Sequence, residues 1–204
     1  MAQQMNPQND RRNLEEKMKK QGRLPPGQSL TTQFPVYTAS VTPGFDPKTW
    51  DFRVFGEVEN PTRWTWEAFL SLPTIQLNTD LHCVTKWSKF DTVWEGVQFK
   101  HIAELVGMKD NTRHIIAHCE GGYTTNVPVE DMLRDDVLLT YKFAGKLLEP
   151  DHGAPLRTLV PHLYLWKSAK YLRALEFSTV DKPGFWEVRG YHNYGDPFKS
   201  ERYG

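Results

Sequence analysis

The stretch Ile75-Gln76-Leu77-Asn78-Thr79-Asp80-Leu81-His82-Cys83 alternates apolar and polar side chains over much of its length. Alternation with a period of two residues predicts a β-strand with one buried face. The strand ends on Cys83, so it presents a thiol at the point where the chain leaves the sheet. This stretch therefore predicts both a strand and a candidate reactive group.

Short strands and short helices are mixed on both sides of this stretch. Runs rich in β-branched and aromatic residues predict further strands at 52–58, 113–119, 137–141 and 171–177. Helical spacing predicts short helices at 65–70, at 99–106 with Gly107 as its end, and at 128–133. Since strands and helices do not alternate regularly, the predicted fold class is α+β, not a doubly wound parallel sheet.

The length and composition suit one domain with a tail. The chain has 204 residues, of which 39% are hydrophobic, and this is enough to form a globular core. Residues 1–33 are polar and predict an N-terminal tail carrying a short helix to Lys20, whereas residues 34–204 predict the folded domain. The Gly- and Pro-rich segment 142–156 predicts a long loop.

Charge and cysteine usage exclude several classes of function. Lys and Arg together number 25, as do Asp and Glu, so we expect neither a nucleic acid nor a membrane as the main partner. No apolar stretch is long enough for a spanning helix or for a secretory signal at the start. Two cysteines make no disulfide framework, so a cytoplasmic location is expected. Phosphate-loop and dinucleotide-binding glycine motifs are also absent.

Two groups of residues are candidates for chemistry. His82-Cys83 and His118-Cys119 each end a predicted strand and could supply four zinc ligands, although two buried structural cysteines fit the pattern better. The loop 151–157 presents Asp, His and Arg together, and Lys170 follows it. Such donors suit a bound phosphate, while a solvated loop with a paired arginine remains the alternative.

Several separated motifs resemble the sulfite oxidase family. Its molybdenum-binding segment is similar to Leu81-His82-Cys83-Val84-Thr85-Lys86-Trp87-Ser88. Its active-site tyrosine and pterin-phosphate loop are similar to residues 138–145 through 151–157. The run 168–172 matches a segment that closes over the pterin. The likeness is greatest to small bacterial sulfite-oxidase-like oxidoreductases, which show much the same stretch Gly190-Tyr-His-Asn-Tyr-Gly-Asp-Pro197, and it covers Phe34 to Gly204. It implies a β-rich molybdopterin-binding domain that performs two-electron oxygen-atom transfer on a small molecule.

The resemblance also implies roles for individual residues. Cys83 would be the protein ligand to molybdenum, and Tyr141 the catalytic tyrosine that orients substrate or a proton. A packed strand aromatic is the alternative for Tyr141, and a buried core residue for Cys119. The residues implied in binding molybdopterin, besides Cys83, are Val36, Tyr37, Thr38, Glu120, His152, Arg157, Ser168, Ala169 and Lys170.

Two departures from the family concern the substrate. Sulfite oxidases have an Asn-Arg-Arg run after the ligand cysteine, where this chain has Val84 to Ser88, and a second arginine is replaced in the segment 31–33. Because buried oxyanions need such cations, we expect a neutral oxide in place of sulfite. No haem motif occurs, so a separate electron-transfer partner is expected. A zinc or thiol enzyme, or a non-catalytic binding protein of the same fold, remains the alternative.

Overall fold

Two β-sheets make up most of the computed structural model, which describes residues 7–39 and 41–204. The first sheet contains β1 (Ser29–Leu30), β4 (Ile75–Cys83), β5 (Trp87–Gln98), β8 (Leu138–Phe143), β9 (Lys146–Leu147) and β10 (Arg157–Leu159). The second contains β2 (Asp51–Gly56), β3 (Thr62–Thr65), β6 (His114–Cys119), β7 (Thr124–Pro128) and β11 (Leu172–Ser178). The α-helices are α1 (Pro7–Lys20), α2 (Trp66–Leu70), α3 (Phe99–Val106) and α4 (Val129–Met132).

Both sheets are largely antiparallel. The first has the order β1-β5-β8-β10, with β4 also pairing with β5 and β9 with β8. The second has the order β3-β2-β11-β6-β7, in which β2 and β11 run parallel. This mixed, β-rich architecture confirms the predicted α+β class.

Side chains from both sheets meet in the main hydrophobic core, which includes Phe52 of β2, Leu139 of β8 and Phe177 of β11. A smaller cluster contains Cys83, Trp94 and Leu138. Since successive strand residues point to opposite faces, Leu138 and Leu139 assign the two clusters to opposite sides of β8. Cys83 therefore belongs to the face of the first sheet that is turned away from the main core.

The structure confirms the strand 75–83 and the helix 99–106, whose Gly107 ends it at φ 63°. The twelve-residue strand β5 was not predicted from its sequence, although it pairs with β1, β4 and β8. A register shift between Glu95 and Gly96 interrupts its alternation. A Cβ atom at Gly96 would lie 2.3 Å from the carbonyl oxygen of Leu139, so only glycine allows β5 and β8 to approach this closely.

The polar segment 1–33 is not a free tail in its described part, residues 7–33. Ser29 pairs with Trp87 and adds a parallel edge strand to the first sheet. Met18 is 4% exposed, and Arg23 donates two hydrogen bonds to Asp80, at 2.9 and 2.7 Å. The described part of this segment therefore packs against the first sheet, and the domain boundary at residue 33 stays a prediction. Across the described ranges, no helix combines the length and the apolar character required to cross a membrane.

Candidate functional site

A cavity of about 320 Å³ opens beside the end of β4. It brings together Cys83 and the three basic side chains predicted to bind phosphate. The residues lining it are Phe34, Pro35, Tyr37, Thr38, Ala39, Cys83, Val84, Thr85, Trp87, Tyr123, His152, Arg157, Leu165, Trp166, Ser168, Ala169, Lys170, Tyr171, Trp186 and Tyr191.

Cys83 is held at the wall of this cavity by a tight turn. The backbone N–H of Lys86 donates to the carbonyl of Cys83 at 3.0 Å, and Lys86 has φ 71°. The hydroxyl of Thr85 donates to the Cys83 sulfur at 3.1 Å. Burial raises the pKa of the Cys83 thiol, while this hydrogen bond and the charge of Arg202 oppose the increase. A bound metal cation would reverse the effect of burial, because thiol ligands are deprotonated when they coordinate a metal.

Arg157 is a buried cation that no carboxylate neutralises among the described residues. Its guanidinium donates to the carbonyls of His152 at 2.8 Å and Ser168 at 2.9 Å. Burial lowers the pKa of Arg157 to about 10. Burying a charge without a counter-charge is costly. The cavity wall therefore offers an unneutralised positive charge to an anion.

Two further basic groups line the cavity near Arg157. Burial and the charge of Arg157 lower the pKa of Lys170 to about 8, and its ammonium donates to the carbonyl of Asp151 at 2.9 Å. The same two causes lower the pKa of His152, whose ring stacks on Phe34 with the centroids 4.1 Å apart. An anion bound here would raise the pKa of both groups, since it would oppose the effect of the neighbouring cation.

Ser168 and Ala169 line the cavity, but their backbone N–H groups already have partners. Ser168 donates to the carbonyl of Leu165 at 3.0 Å, and Ala169 donates to the hydroxyl of Thr158 at 2.7 Å. These two residues therefore shape the wall, and the charge on it comes from the side chains of Arg157 and Lys170. The backbone amides of Ser168 and Ala169 are not available to a phosphate in this conformation.

An aromatic wall that the sequence analysis did not assign to the site faces the same space. Trp166 is fixed by a hydrogen bond from its indole nitrogen to the Glu187 carboxylate at 3.0 Å. Glu187 also pairs with Lys167 at 2.6 Å, and both side chains are almost fully buried. Gly195 packs so closely that a Cβ atom there would lie 2.7 Å from the Trp166 ring. Contacts on several sides thus fix the orientation of Trp166.

Tyr191 also belongs to this wall and lies close to Cys83. Burial raises the pKa of Tyr191, and the nearby Tyr203 and Cys83 groups raise it further. Its ring contacts Trp186 with the centroids 4.8 Å apart and Trp166 with the centroids 5.2 Å apart. Tyr191 stands in the stretch Gly190-Tyr-His-Asn-Tyr-Gly-Asp-Pro197, which resembled the family but received no predicted role.

The predicted position beside the cofactor is wrong for Tyr141. Its side chain is 5% exposed, belongs to the main core and packs edge-on against Trp66 with the centroids 6.1 Å apart. The reason is the alternation along β8: Tyr141 lies two residues from Leu139 and therefore shares its inward face. Tyr191, in contrast, lines the cavity and interacts electrostatically with Cys83.

Two other predicted residues lie outside the cavity wall. Glu120 points to the surface and pairs with Arg173 at 2.6 Å. Val36 is 45% exposed and is absent from the lining, although Tyr37 and Thr38 on the same segment contribute to it. Tyr37 is itself 58% exposed, so it borders the cavity from the surface.

A two-cysteine zinc centre finds no support in the structure. Cys83 and Cys119 are both free and buried, but they belong to different hydrophobic clusters. No group of three or more metal-ligating side chains occurs within the described residues. Burial raises the pKa of Cys119 far above the usual value of a thiol. Cys119 is thus a buried core residue, which is the alternative interpretation that the sequence analysis gave for it.

The donors that are present fit a molybdopterin. One buried thiol, Cys83, is available to complete a metal whose other sulfur ligands come from the pterin dithiolene. Three basic side chains, His152, Arg157 and Lys170, face the same cavity without a protein carboxylate among the lining residues. The indole nitrogen of Trp87 is buried in the lining without a hydrogen-bond partner, which leaves a donor for a ligand.

Comparison with known families agrees with this chemistry. Residues 39–186 match the family model described as oxidoreductase molybdopterin binding domain, which is well over half of the chain. The chain belongs to this family. It is accordingly a molybdopterin-dependent oxidoreductase that uses molybdenum.

Individual relatives place the family membership in context. The uncharacterized oxidoreductase YuiH of Bacillus subtilis is 44% identical over 183 residues, covering 89% of this chain and 92% of that protein. The catalytic subunit of the protein-methionine-sulfoxide reductase MsrP of Campylobacter jejuni is 22% identical, and sulfite oxidase of Arabidopsis thaliana is 26% identical. These matches cover 76% and 67% of this chain, but only 58% and 44% of those longer proteins.

A solved structure shows the same fold. The sulfane dehydrogenase SoxCD from Paracoccus pantotrophus superimposes with a TM-score of 0.63 at 18% identity, covering 73% of this chain and 42% of that one. The arrangement of sheets around the cavity is therefore that of the sulfite-oxidase-type molybdopterin-binding fold.

Proposed function

We propose that the protein reduces a small neutral oxide, such as a sulfoxide or an N-oxide, by two-electron oxygen-atom transfer at the cavity beside Cys83. In this reaction the S–O or N–O bond breaks, and the oxygen leaves as water after the uptake of two electrons and two protons. A separate electron-transfer protein or small carrier supplies the electrons. The molybdenum centre, when bound, supplies the oxygen-atom transfer itself.

The distribution of charge along the cavity carries this proposal. Arg157 interacts electrostatically with Lys170, Cys119 and Tyr123, whereas the charged group acting on Cys83 is Arg202, which does not line the cavity. The charged group that acts on Cys83 is thus different from the lining cations. We assign them to the cofactor phosphate, which leaves no lining cation beside Cys83 to balance a sulfite dianion within the described residues.

The walls beside Cys83 suit a neutral molecule. Trp166, Trp186 and Tyr191 offer aromatic surface, and the hydroxyl of Tyr191 can donate a hydrogen bond. A neutral oxide loses little hydration in such surroundings compared with a dianion. The phenol of Tyr191 is the group we assign to orient the oxide oxygen and to deliver a proton.

A neutral sulfoxide group also agrees with a relative whose printed name is protein-methionine-sulfoxide reductase catalytic subunit. The cellular location of the enzyme is proposed from the state of its cysteines. Both cysteines are free and buried, as expected for a protein that works in the reducing cytoplasm.

Substrate preference is tested on protein expressed in cells that make the cofactor. Molybdenum and pterin are first quantified per polypeptide, and turnover is then measured with reduced methyl viologen as donor and with dimethyl sulfoxide, methionine sulfoxide or trimethylamine N-oxide. Sulfite oxidation is measured in parallel with ferricyanide. Reduction of a neutral oxide with little sulfite turnover is expected. Efficient sulfite oxidation at micromolar concentration without oxide reduction would overturn the proposal, while absence of molybdenum would exclude the cofactor assignment for this chain.

A further inference from the structure

The turn that carries Cys83 is held by residues from outside the family match. The guanidinium of Arg202 donates to the carbonyl of Val84 at 2.5 Å. The amide of Gln28 donates to the carbonyl of Cys83 at 3.0 Å. Both lie beyond residues 39–186, one on each side. Two consecutive carbonyl groups, those of Cys83 and Val84, are therefore held by hydrogen bonds from segments outside the family match.

Arg202 is also connected to the segment that carries Tyr191. Its backbone carbonyl accepts a hydrogen bond from the N–H of His192 at 3.2 Å. The adjacent Tyr203 forms a β-bridge with Tyr191, and the two rings are 5.3 Å apart. The side chain of Arg202 thus contacts the thiol-bearing turn while its backbone contacts the phenol-bearing segment. One residue bridges the two groups.

The arginine side chain is itself constrained. Its guanidinium lies over the ring of Tyr164 at 5.0 Å, and Tyr164 is fully buried. No carboxylate forms an ion pair with Arg202 in the described part of the chain, so its direction is set by the Val84 carbonyl and the Tyr164 ring. A planar guanidinium can stack and donate together, whereas an ammonium on a flexible stem cannot reproduce both contacts.

We propose that Arg202 is a positioning residue that fixes the separation and orientation of the Cys83 sulfur relative to the Tyr191 phenol. This inference rests on the proposed function, in which the sulfur holds the metal and the phenol orients the substrate. Its consequence is that the direction in which Cys83 presents its sulfur to the cavity depends on a residue that does not itself line the cavity.

The first arm of the test measures the turn itself and does not need the cofactor. Hydrogen–deuterium exchange of the backbone amides of residues 84–87 is compared in wild type, Arg202→Met and Arg202→Lys. Loss of the charged hydrogen bond should raise exchange in Arg202→Met roughly tenfold, with a smaller rise in Arg202→Lys. Arg113→Met is the matched control, because Arg113 also donates to backbone carbonyls, those of Asp110 and Thr112, but lies away from the cavity.

The second arm measures geometry at the metal in holoenzyme. The g values of the Mo(V) electron paramagnetic resonance signal depend on how the thiolate sulfur meets the metal. Arg202→Met should alter this signal and lower kcat roughly tenfold while molybdenum content and KM stay near wild type. Arg202→Lys should recover part of the change, and Arg113→Met should match wild type.

The outcomes separate the two proposals. Faster exchange with an unchanged signal and kcat would make Arg202 a merely structural tether and overturn the inference, as would unchanged exchange. An altered signal in an enzyme that oxidises sulfite but reduces no neutral oxide would support the positioning role and refute the proposed substrate. If the protein holds no molybdenum, equal exchange of residues 84–87 in wild type and Arg202→Met would still overturn the inference.

Discussion

Replacing Arg157 by lysine keeps the positive charge and removes its shape. In the structure the guanidinium reaches two carbonyls at once, those of His152 at 2.8 Å and Ser168 at 2.9 Å. An ammonium is a point charge that cannot span both and also grip two phosphate oxygens in parallel. Loss of one charge-assisted hydrogen bond weakens binding by about 1.5 to 3 kcal/mol, which is roughly 10- to 100-fold in affinity.

We therefore expect Arg157→Lys to lose the cofactor during purification although the net charge is unchanged. Molybdenum by mass spectrometry and pterin by fluorescence are measured per polypeptide after repeated dilution and gel filtration. Arg113→Lys, at an exposed arginine away from the cavity, is the control and should retain both. A thermal unfolding midpoint close to wild type confirms that Arg157→Lys is folded.

The decisive comparison is the rate of cofactor loss. If Arg157→Lys releases molybdenum and pterin no faster than wild type or Arg113→Lys, a bidentate grip by Arg157 is not what retains the cofactor. In that case the lowered pKa of about 10 at Arg157 would reflect burial without any role in binding an anion.

Three further outcomes test other residues. Cys83→Ser should abolish turnover and lower bound molybdenum, whereas Cys119→Ser should leave the molybdenum content near wild type; equal metal loss in both would favour a shared metal site. Tyr191→Phe should lower kcat by roughly 100-fold or more, the scale of a lost proton donor, and Tyr141→Phe should not; the reverse order in steady-state assays would restore Tyr141 to the site. Burial lowers the pKa of His82 to about 4, so the unfolded chain binds its proton first as pH falls below about 6.5. Folding stability should then decline by about 3 kcal/mol between pH 6.5 and 4 on account of His82, and His82→Asn should flatten this part of a denaturant-based pH profile; an equal slope in both proteins would contradict it.

Several helices and strands can be predicted from the sequence alone, as can the residues proposed for the metal and for the phosphate of the cofactor. Alternation over Ile75–Cys83 predicts a strand because one face of it is buried. The order of the motifs around Cys83 and Arg157 identifies the family, since these residues stand in continuous runs that can be read without a fold.

Which distant side chains share the cavity depends on the tertiary structure. Tyr141 and Tyr191 are both tyrosines within family-like stretches, but β8 turns Tyr141 inward, and the segment around Tyr191 folds back beside Cys83. Nor does local sequence show that Arg202 reaches the carbonyl of Val84, 118 residues earlier. Contacts of this kind depend on how two sheets pack and how both ends of the chain return to them, and local periodicity carries no information about packing between distant segments.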